Sequence, residues 1–260
     1  MALRDINVVL PASADEAVAA FGDGDGVTVV AGGTIVMPEL VAGRLRPERA
    51  LLLARAGLDR IARENGRVTI GAATPISSLL DGDEPLATAA RHVADPEVRG
   101  QATVGGNLCS AASTDAPRGD LQAALIVLGA SVRSVGKGGE RTEPVEEFVA
   151  SSAGRLALDV SYDEEPRQTG YAAAWRPHAH HYTMLAVAAA KRDGELRVAA
   201  TGAAPHGVRL TAVEQSGKAA DALDGLELRD DALASAWYRA KLLPRLVERA
   251  LAMLAGGDHG

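Results

Sequence analysis

The chain has 260 residues, 47% of them apolar but only 3% aromatic, and its 34 acidic against 27 basic residues give a formal net charge of -7. That balance excludes a broad basic face for gripping nucleic acid, and the length favours two structural parts over one. The single cysteine, Cys109, excludes an internal disulfide and also an iron–sulfur cluster held by this chain alone, since such clusters take about four thiolates.

No apolar run approaches the roughly 20 residues of a membrane span, and the opening MALRDINVVLP lacks the layout of a signal peptide, so a cytoplasmic protein is expected. With so few aromatics, alanine and valine must fill much of its interior. Ser13 with Glu16 forms a capping box that opens a helix through Phe21. The stretch Val27 to Gly33, VTVVAGG, reads as a strand covered on both faces that ends in two glycines. A helix over ELVAGRL, after Pro38, and a strand over RALLLARA follow. Asn65-Gly66 between two alternating runs signals a hairpin. Pro75 to His92 is helical by spacing, and DPEVRGQATVGGN is read as an extended loop leading to a second glycine pair.

LQAALIVLGASVRSV predicts a helix closed at Gly129 and then a strand, with a turn at Gly136 to Gly139, a short helix over EPVEEFVAS and a strand over RLALDVSYD. The charged, proline-containing stretch from Asp163 to Arg167 is the most credible boundary, giving parts 1–165 and 166–260. Beyond it come a hairpin turning at Asp193-Gly194, an amphipathic helix over LTAVEQSGKAADALDG, and a helix from Asp230 to Leu254 that ends before Gly256-Gly257. Mixed α and β structure is expected throughout, with no internal repeat.

The two glycine pairs, in VVAGGTIVMP (Val29 to Pro38) and ATVGGNLCSA (Ala102 to Ala111), carry the functional signal. Glycine after a strand permits positive φ and close backbone approach, so successive N–H groups can turn toward one anion. Thr34, Thr103 and Asn107 add short neutral donors. Neither motif matches the Rossmann or P-loop pattern. A lone pair of glycines is most often only a turn, but two donor-rich loops, each on its own strand–loop–helix unit, can close on a diphosphate from both sides.

AGGTIVMP and ATVGGNL, with PASADEAVAAF before the first and RGDLQAALIVLGASV after the second, resemble the FAD-binding subunit of molybdenum hydroxylases, the medium subunit of the xanthine dehydrogenase and carbon monoxide dehydrogenase group. RLTAVEQSGKAADALDG and SAWYRAKLLPRLVERAL resemble the later part of that subunit, so the likeness spans the chain. The resemblance implies an α+β fold in which a two-subdomain FAD-binding domain of the vanillyl-alcohol-oxidase (PCMH-like) type, residues 1–165, precedes a small C-terminal α+β domain, residues 166–260. It assigns Ala31, Gly32, Gly33, Thr34 and Ile35 to the first pyrophosphate loop and Thr103, Val104, Gly105, Gly106 and Asn107 to the second. Either Asp115 or Asp120 occupies the acidic FAD-contacting position, with Asp120 favoured; as a helix N-cap before LQAAL it would serve both roles. Val93 stands where some relatives place an aromatic ring, which implies aliphatic contacts to the flavin.

By the same resemblance the chain is an oxidoreductase subunit that carries electrons, through FAD, from iron–sulfur clusters on a small subunit, reduced by a molybdopterin large subunit, to NAD or another acceptor. No residue stands out as a catalytic acid, base or nucleophile. The cluster His178, His180 and His181 is read as an exposed or interface loop rather than a metal site, Cys109 as a small apolar residue, and Arg99 and Arg118 as solvated residues flanking the second loop. Two other readings compete, a free-standing FAD-dependent oxidoreductase and a non-catalytic nucleotide-binding or assembly module.

Overall fold

The computed structural model describes residues 6–110, 119–165, 167–175 and 183–255. The first unit holds β1 (Asn7–Val9), α1 (Ala14–Phe21), β2 (Val27–Val30), α2 (Val36–Val41) and β3 (Arg49–Leu52), with the strands in a parallel sheet ordered β1-β3-β2. Ser13 caps α1 by accepting from the Glu16 amide at 3.1 Å, and the Glu16 carboxylate reaches back to the Ala12 amide at 2.8 Å. Ala17 and Phe21 of α1 then pack on Leu51 and Leu53. The expectation that β2 is covered on both faces fails, because it is an edge strand and only Val30 is fully buried. The helix after it starts before Pro38 rather than behind it, since proline needs no amide partner in a first turn.

The second unit is an antiparallel sheet ordered β4-β5-β8-β6-β7. It is built from β4 (Ile61–Glu64), β5 (Arg67–Gly71), β6 (Ser131–Gly136), β7 (Gly139–Pro144) and β8 (Arg155–Asp163). Asn65 and Gly66 both take positive φ, as a two-residue hairpin turn requires. Between β5 and β6 lie a 3-10 turn (Ile76–Leu79), α3 (Leu86–Arg91), α4 (Pro96–Gln101), α5 (Val104–Cys109) and α6 (Gln122–Val127), and α7 (Val145–Ala150) precedes β8. The single helix expected from Pro75 to His92 is therefore two short pieces. The extended loop expected after it is instead α4, with Asp95 as N-cap to the Val98 amide at 2.8 Å and proline in the first turn.

The last unit is a sheet ordered β12-β11-β10-β9, formed by β9 (Gln168–Trp175), β10 (Thr183–Arg192), β11 (Glu195–Thr201) and β12 (Val208–Arg209), together with α8 (Thr211–Ser216), a 3-10 turn (Ala219–Leu223) and α9 (Ala236–Ala255). Strand β10 explains the alanine-rich composition. Ala186, Ala188 and Ala190 face the core that holds α6, while Leu185, Val187 and Ala189 face the core that holds α9. Gly170 of β9 lies so close to the Ala250 carbonyl of α9 that a β-carbon there would collide with it. Alternation thus puts both faces of the strand inside, and small residues let the helices approach. The core that includes α6 runs without interruption from Val68 and Ile70 to Ala199.

The amphipathic helix expected from Leu210 to Gly225 is interrupted by Gly217 at φ 69°, a left-handed cap that ends α8. The final helix begins at Ala236 rather than Asp230, because the preceding residues form a buried ion-pair knot. There Asp231 accepts two 2.8 Å bonds from Arg239 Nη2 and further bonds from the Leu233 and Ala234 amides. Burial pulls the Asp231 carboxyl upward, but the Arg239 guanidinium and these amides outweigh it and hold it below its ordinary 3.8. A depressed carboxyl adds stability above its unfolded pKa and loses it as pH falls through the folded value. Asp231→Asn should therefore unfold at a lower temperature than the parent at pH 7, with the difference shrinking below about pH 4; a difference independent of pH would contradict the pairing.

Candidate functional site

A cleft of about 500 Å³ opens where the first and second units meet. Ala31, Gly32, Gly33, Thr34 and Ile35 line one side, and Thr103, Gly105, Gly106, Asn107 and Asp120 line another. Val104 is the exception among the expected residues, since its side chain is 1% exposed and belongs to the core. Asp115, Arg118 and the histidines 178, 180 and 181 lie outside the described residues. Among the described residues no group of histidine, cysteine or carboxylate side chains is arranged to hold a metal.

The first motif leaves β2 as a loop, and Gly33 takes φ 71°, a backbone state that a side chain would strain. The Met37 amide donates to the Gly33 carbonyl at 2.9 Å and starts α2. Among the described residues, the amides of Gly32, Gly33, Thr34, Ile35 and Val36 donate to no protein acceptor. Five consecutive donors on residues that line one cleft form a cradle for an anion.

The second motif is built differently from the expectation. Its glycine pair lies within the first turn of α5 and follows α4, so it is not a strand–loop–helix unit. The Thr103 hydroxyl caps α5 by accepting from the Gly106 amide at 3.2 Å. The Val104 amide donates to Thr74 O at 3.0 Å, Gly105 to Ala72 O at 2.8 Å and Asn107 to Thr103 O at 2.9 Å. These four donors are engaged inside the protein, so the unbroken run of free amides on the cleft belongs to the first loop. A β-carbon on Gly105 would meet Ala72 Cβ at 2.7 Å, which identifies Gly105 as a packing glycine. Gly106 is exposed, and a β-carbon there would meet only Thr103 Oγ1, at 3.0 Å. Gly106 is thus the glycine of this motif that leaves room for a ligand.

Asn107 braces the cleft as well as lining it. Its Nδ2 donates to Asp120 Oδ2 at 2.9 Å and its Oδ1 accepts from the Leu121 amide at 3.0 Å, which ties α5 to the start of α6. Gln122, fully buried, continues the tie by donating to Leu108 O at 2.8 Å and accepting from the Gly207 amide at 2.5 Å. Gly32 closes the other side, for a β-carbon there would fall on the Gln101 carbonyl, so the two motifs touch backbone to backbone.

Apart from Val93, which the resemblance set beside the flavin, the remaining walls come from residues that sequence reasoning did not assign. Val93, Ala94, Asp95 and Val98 contribute from the α3–α4 turn, and Arg155, Leu156 and Ala157 from β8. Asp95 had a readable signal, a capping aspartate directly before proline. Arg99 is not a solvated flank. Its Nη1 donates to the carbonyls of Val93 and Ala94 at 2.8 Å each and holds that wall in place. Val93 meets the cleft as an aliphatic residue, and beside it the His92 ring packs at 5.3 Å from Tyr171 and 5.4 Å from Trp175. Burial and the negative charge of Asp120 push the Tyr171 hydroxyl upward, and it has no hydrogen-bond partner among the described residues. Burial pushes the Cys109 thiol up to about 12, so it stays neutral and weakly nucleophilic.

Residues 4–159 match the family model of the FAD binding domain in molybdopterin dehydrogenase. The 6-hydroxypseudooxynicotine dehydrogenase complex subunit alpha of Paenarthrobacter nicotinovorans is 26% identical over 88% of this chain and 87% of its own. The carbon monoxide dehydrogenase medium chain of Hydrogenophaga pseudoflava is 27% identical over 93% and 94%. A solved structure of carbon monoxide dehydrogenase from Hydrogenophaga pseudoflava, in a form lacking the Mo-pyranopterin moiety, superposes with a TM-score of 0.82 at 26% identity and covers 98% of this chain and 99% of that one. The chain belongs to the FAD-binding domains of molybdopterin dehydrogenases, the oxidoreductase medium subunits whose α+β fold its motifs resembled. The donor set suits the cofactor that defines the family, because a run of unpaired amides opposite an exposed glycine fits a pyrophosphate without calling on a basic surface. Among the described residues no helix is long and apolar enough to cross a membrane.

Proposed function

We propose that this chain is the FAD-binding electron-transfer subunit of a multisubunit molybdenum-dependent oxidoreductase. It would receive electrons from an iron–sulfur small subunit that is reduced in turn by a molybdopterin large subunit, and deliver them to NAD or another acceptor in the cytoplasm. Residues 1–165 serve as the FAD-binding domain and 166–260 as the C-terminal domain. Bound FAD supplies the redox chemistry, and the chain's residues hold it and keep water from its surroundings.

The observation that carries this reading is the run of unengaged amides from Gly32 to Val36 on the cleft wall. Those amides would hold the pyrophosphate, with the Thr34 hydroxyl beside them. Gly106 would leave the space through which it approaches, and Thr103, capping α5, would fix that surface. Asp120, oriented by Asn107, would accept from a cofactor hydroxyl. The names of the relatives, a dehydrogenase complex subunit and a dehydrogenase medium chain, support the subunit role.

Gly106→Val tests the cofactor site with little cost to the fold, since its side chain enters cleft space and presses only on Thr103 Oγ1. The purified variant should keep the parent's thermal unfolding as apoprotein and lose most of its flavin, read from the visible absorbance. Full flavin content would count against the site. Co-purification of the chain from its native host should bring down iron–sulfur and molybdenum subunits; a flavoprotein that oxidises a substrate alone would overturn the subunit reading.

A further inference from the structure

Arg155 is the sole cation among the described residues that line the cleft, and it is 9% exposed. The β6–β7 hairpin fixes its guanidinium. Nε donates to Ser134 Oγ at 2.8 Å, and Nη2 donates to the carbonyls of Ser134 at 2.9 Å and Gly139 at 3.0 Å. Three of the five N–H groups are thus engaged. The two on Nη1 meet no acceptor among the described residues, and no described carboxylate forms an ion pair with Arg155. Nη1 is not sealed from solvent, so its two donors remain available to a ligand. Here the open side of the residue is the cleft.

Its place on β8 sets its distance from the second motif. The Gly105 amide donates to Ala72 O, and the Ala72 amide donates to Leu158 O at 2.9 Å, which anchors β8 beneath the second motif. The pairing of β6 with β8 shifts register at Leu158, so that Arg133 pairs with Asp159 but Ser134 with Ala157. Such a bulge re-aims the residues beyond it, and Arg155, Leu156 and Ala157 all reach the cleft. Three residues of extended strand set Arg155 roughly 10 Å from Leu158. Leu53 and Leu156 line the cleft beside it and offer apolar surface for a base.

We propose that Arg155 Nη1 donates to the adenosine end of the flavin dinucleotide, through an adenine ring nitrogen or a ribose hydroxyl, and thereby sets a preference for FAD over FMN. This rests on the flavin-binding reading above. The test titrates the flavin-free full chain with FAD and FMN by flavin fluorescence and with ADP by calorimetry. Arg155→Met, close in size but without donors, should weaken FAD and ADP by a common factor of about ten- to hundredfold, the range of one hydrogen bond from a charged donor, and leave FMN unchanged. Unaltered FAD affinity, or equal losses for FAD and FMN, would overturn the assignment. Circular dichroism checks that the variant folds. If it does not, Arg155→Lys decides by the same pattern, since an ammonium has no second nitrogen to present to a ligand while the first is held at the Ser134 and Gly139 positions. Failure of the parent chain itself to bind FAD would instead remove the flavin-binding reading.

Discussion

Gly32→Ala is expected to yield a flavin-free, markedly destabilised protein, although it adds a single methyl group. That methyl would fall on the Gln101 carbonyl, with Gln101 C and Ala102 Cα close behind. All three are backbone atoms, so no rotamer change relieves the clash; the loop of the first unit must move away from the α4–α5 junction of the second. Overpacking against backbone costs about 3 kcal/mol, and the displacement opens the cleft between the amide run and Gly106. Chemical denaturation reads the first effect and the flavin-to-protein absorbance ratio the second. Parent-like stability with stoichiometric flavin would show that the two motifs do not meet at Gly32.

Asn107→Ala should lower stability by about 2–3 kcal/mol and deplete flavin as well. The substitution removes the Nδ2 donor to Asp120 and the Oδ1 acceptor for the Leu121 amide. Leu121 is fully buried, so its amide loses its partner where water cannot replace it, and Asp120 loses the contact that aims it along the cleft. Asn107→Asp should be at least as damaging, because it sets a second carboxylate against Asp120. Denaturant unfolding of both variants checks the order; an aspartate variant as stable as the parent would contradict the brace.

What could be read from the sequence was governed by local residues. The caps and tight turns followed their chemistry: Ser13 caps α1, and Asn65-Gly66 and Asp193-Gly194 turn their hairpins with positive φ at each residue. The cleft-lining motifs were visible for the same reason, since each is a short run whose residue types declare a tight backbone. Errors arose where tertiary contacts decide. The centre of β9 is glycine and alanine, with strand formers only at Thr169, Tyr171 and Trp175, and it takes its form by pairing along β10 while α9 packs at Gly170. The glycines of the second motif carried two meanings that sequence cannot separate, for Gly105 accommodates Ala72 while Gly106 is exposed on the cleft. Arg155 was out of reach altogether, because its place in the cleft depends on the β6–β8 pairing and the irregularity at Leu158.

The central claim is that the first loop, and not the second, supplies the main-chain donors for the pyrophosphate. Backbone amide resonances of the isotopically labelled chain, followed while ADP is added, test it directly. The account predicts large downfield shifts and slowed exchange at Gly33, Thr34 and Ile35, with small changes at Val104 and Gly105, whose protons already bond to Thr74 and Ala72. The reverse pattern, or saturation with ADP while the Gly32–Val36 amides stay unmoved, would contradict it.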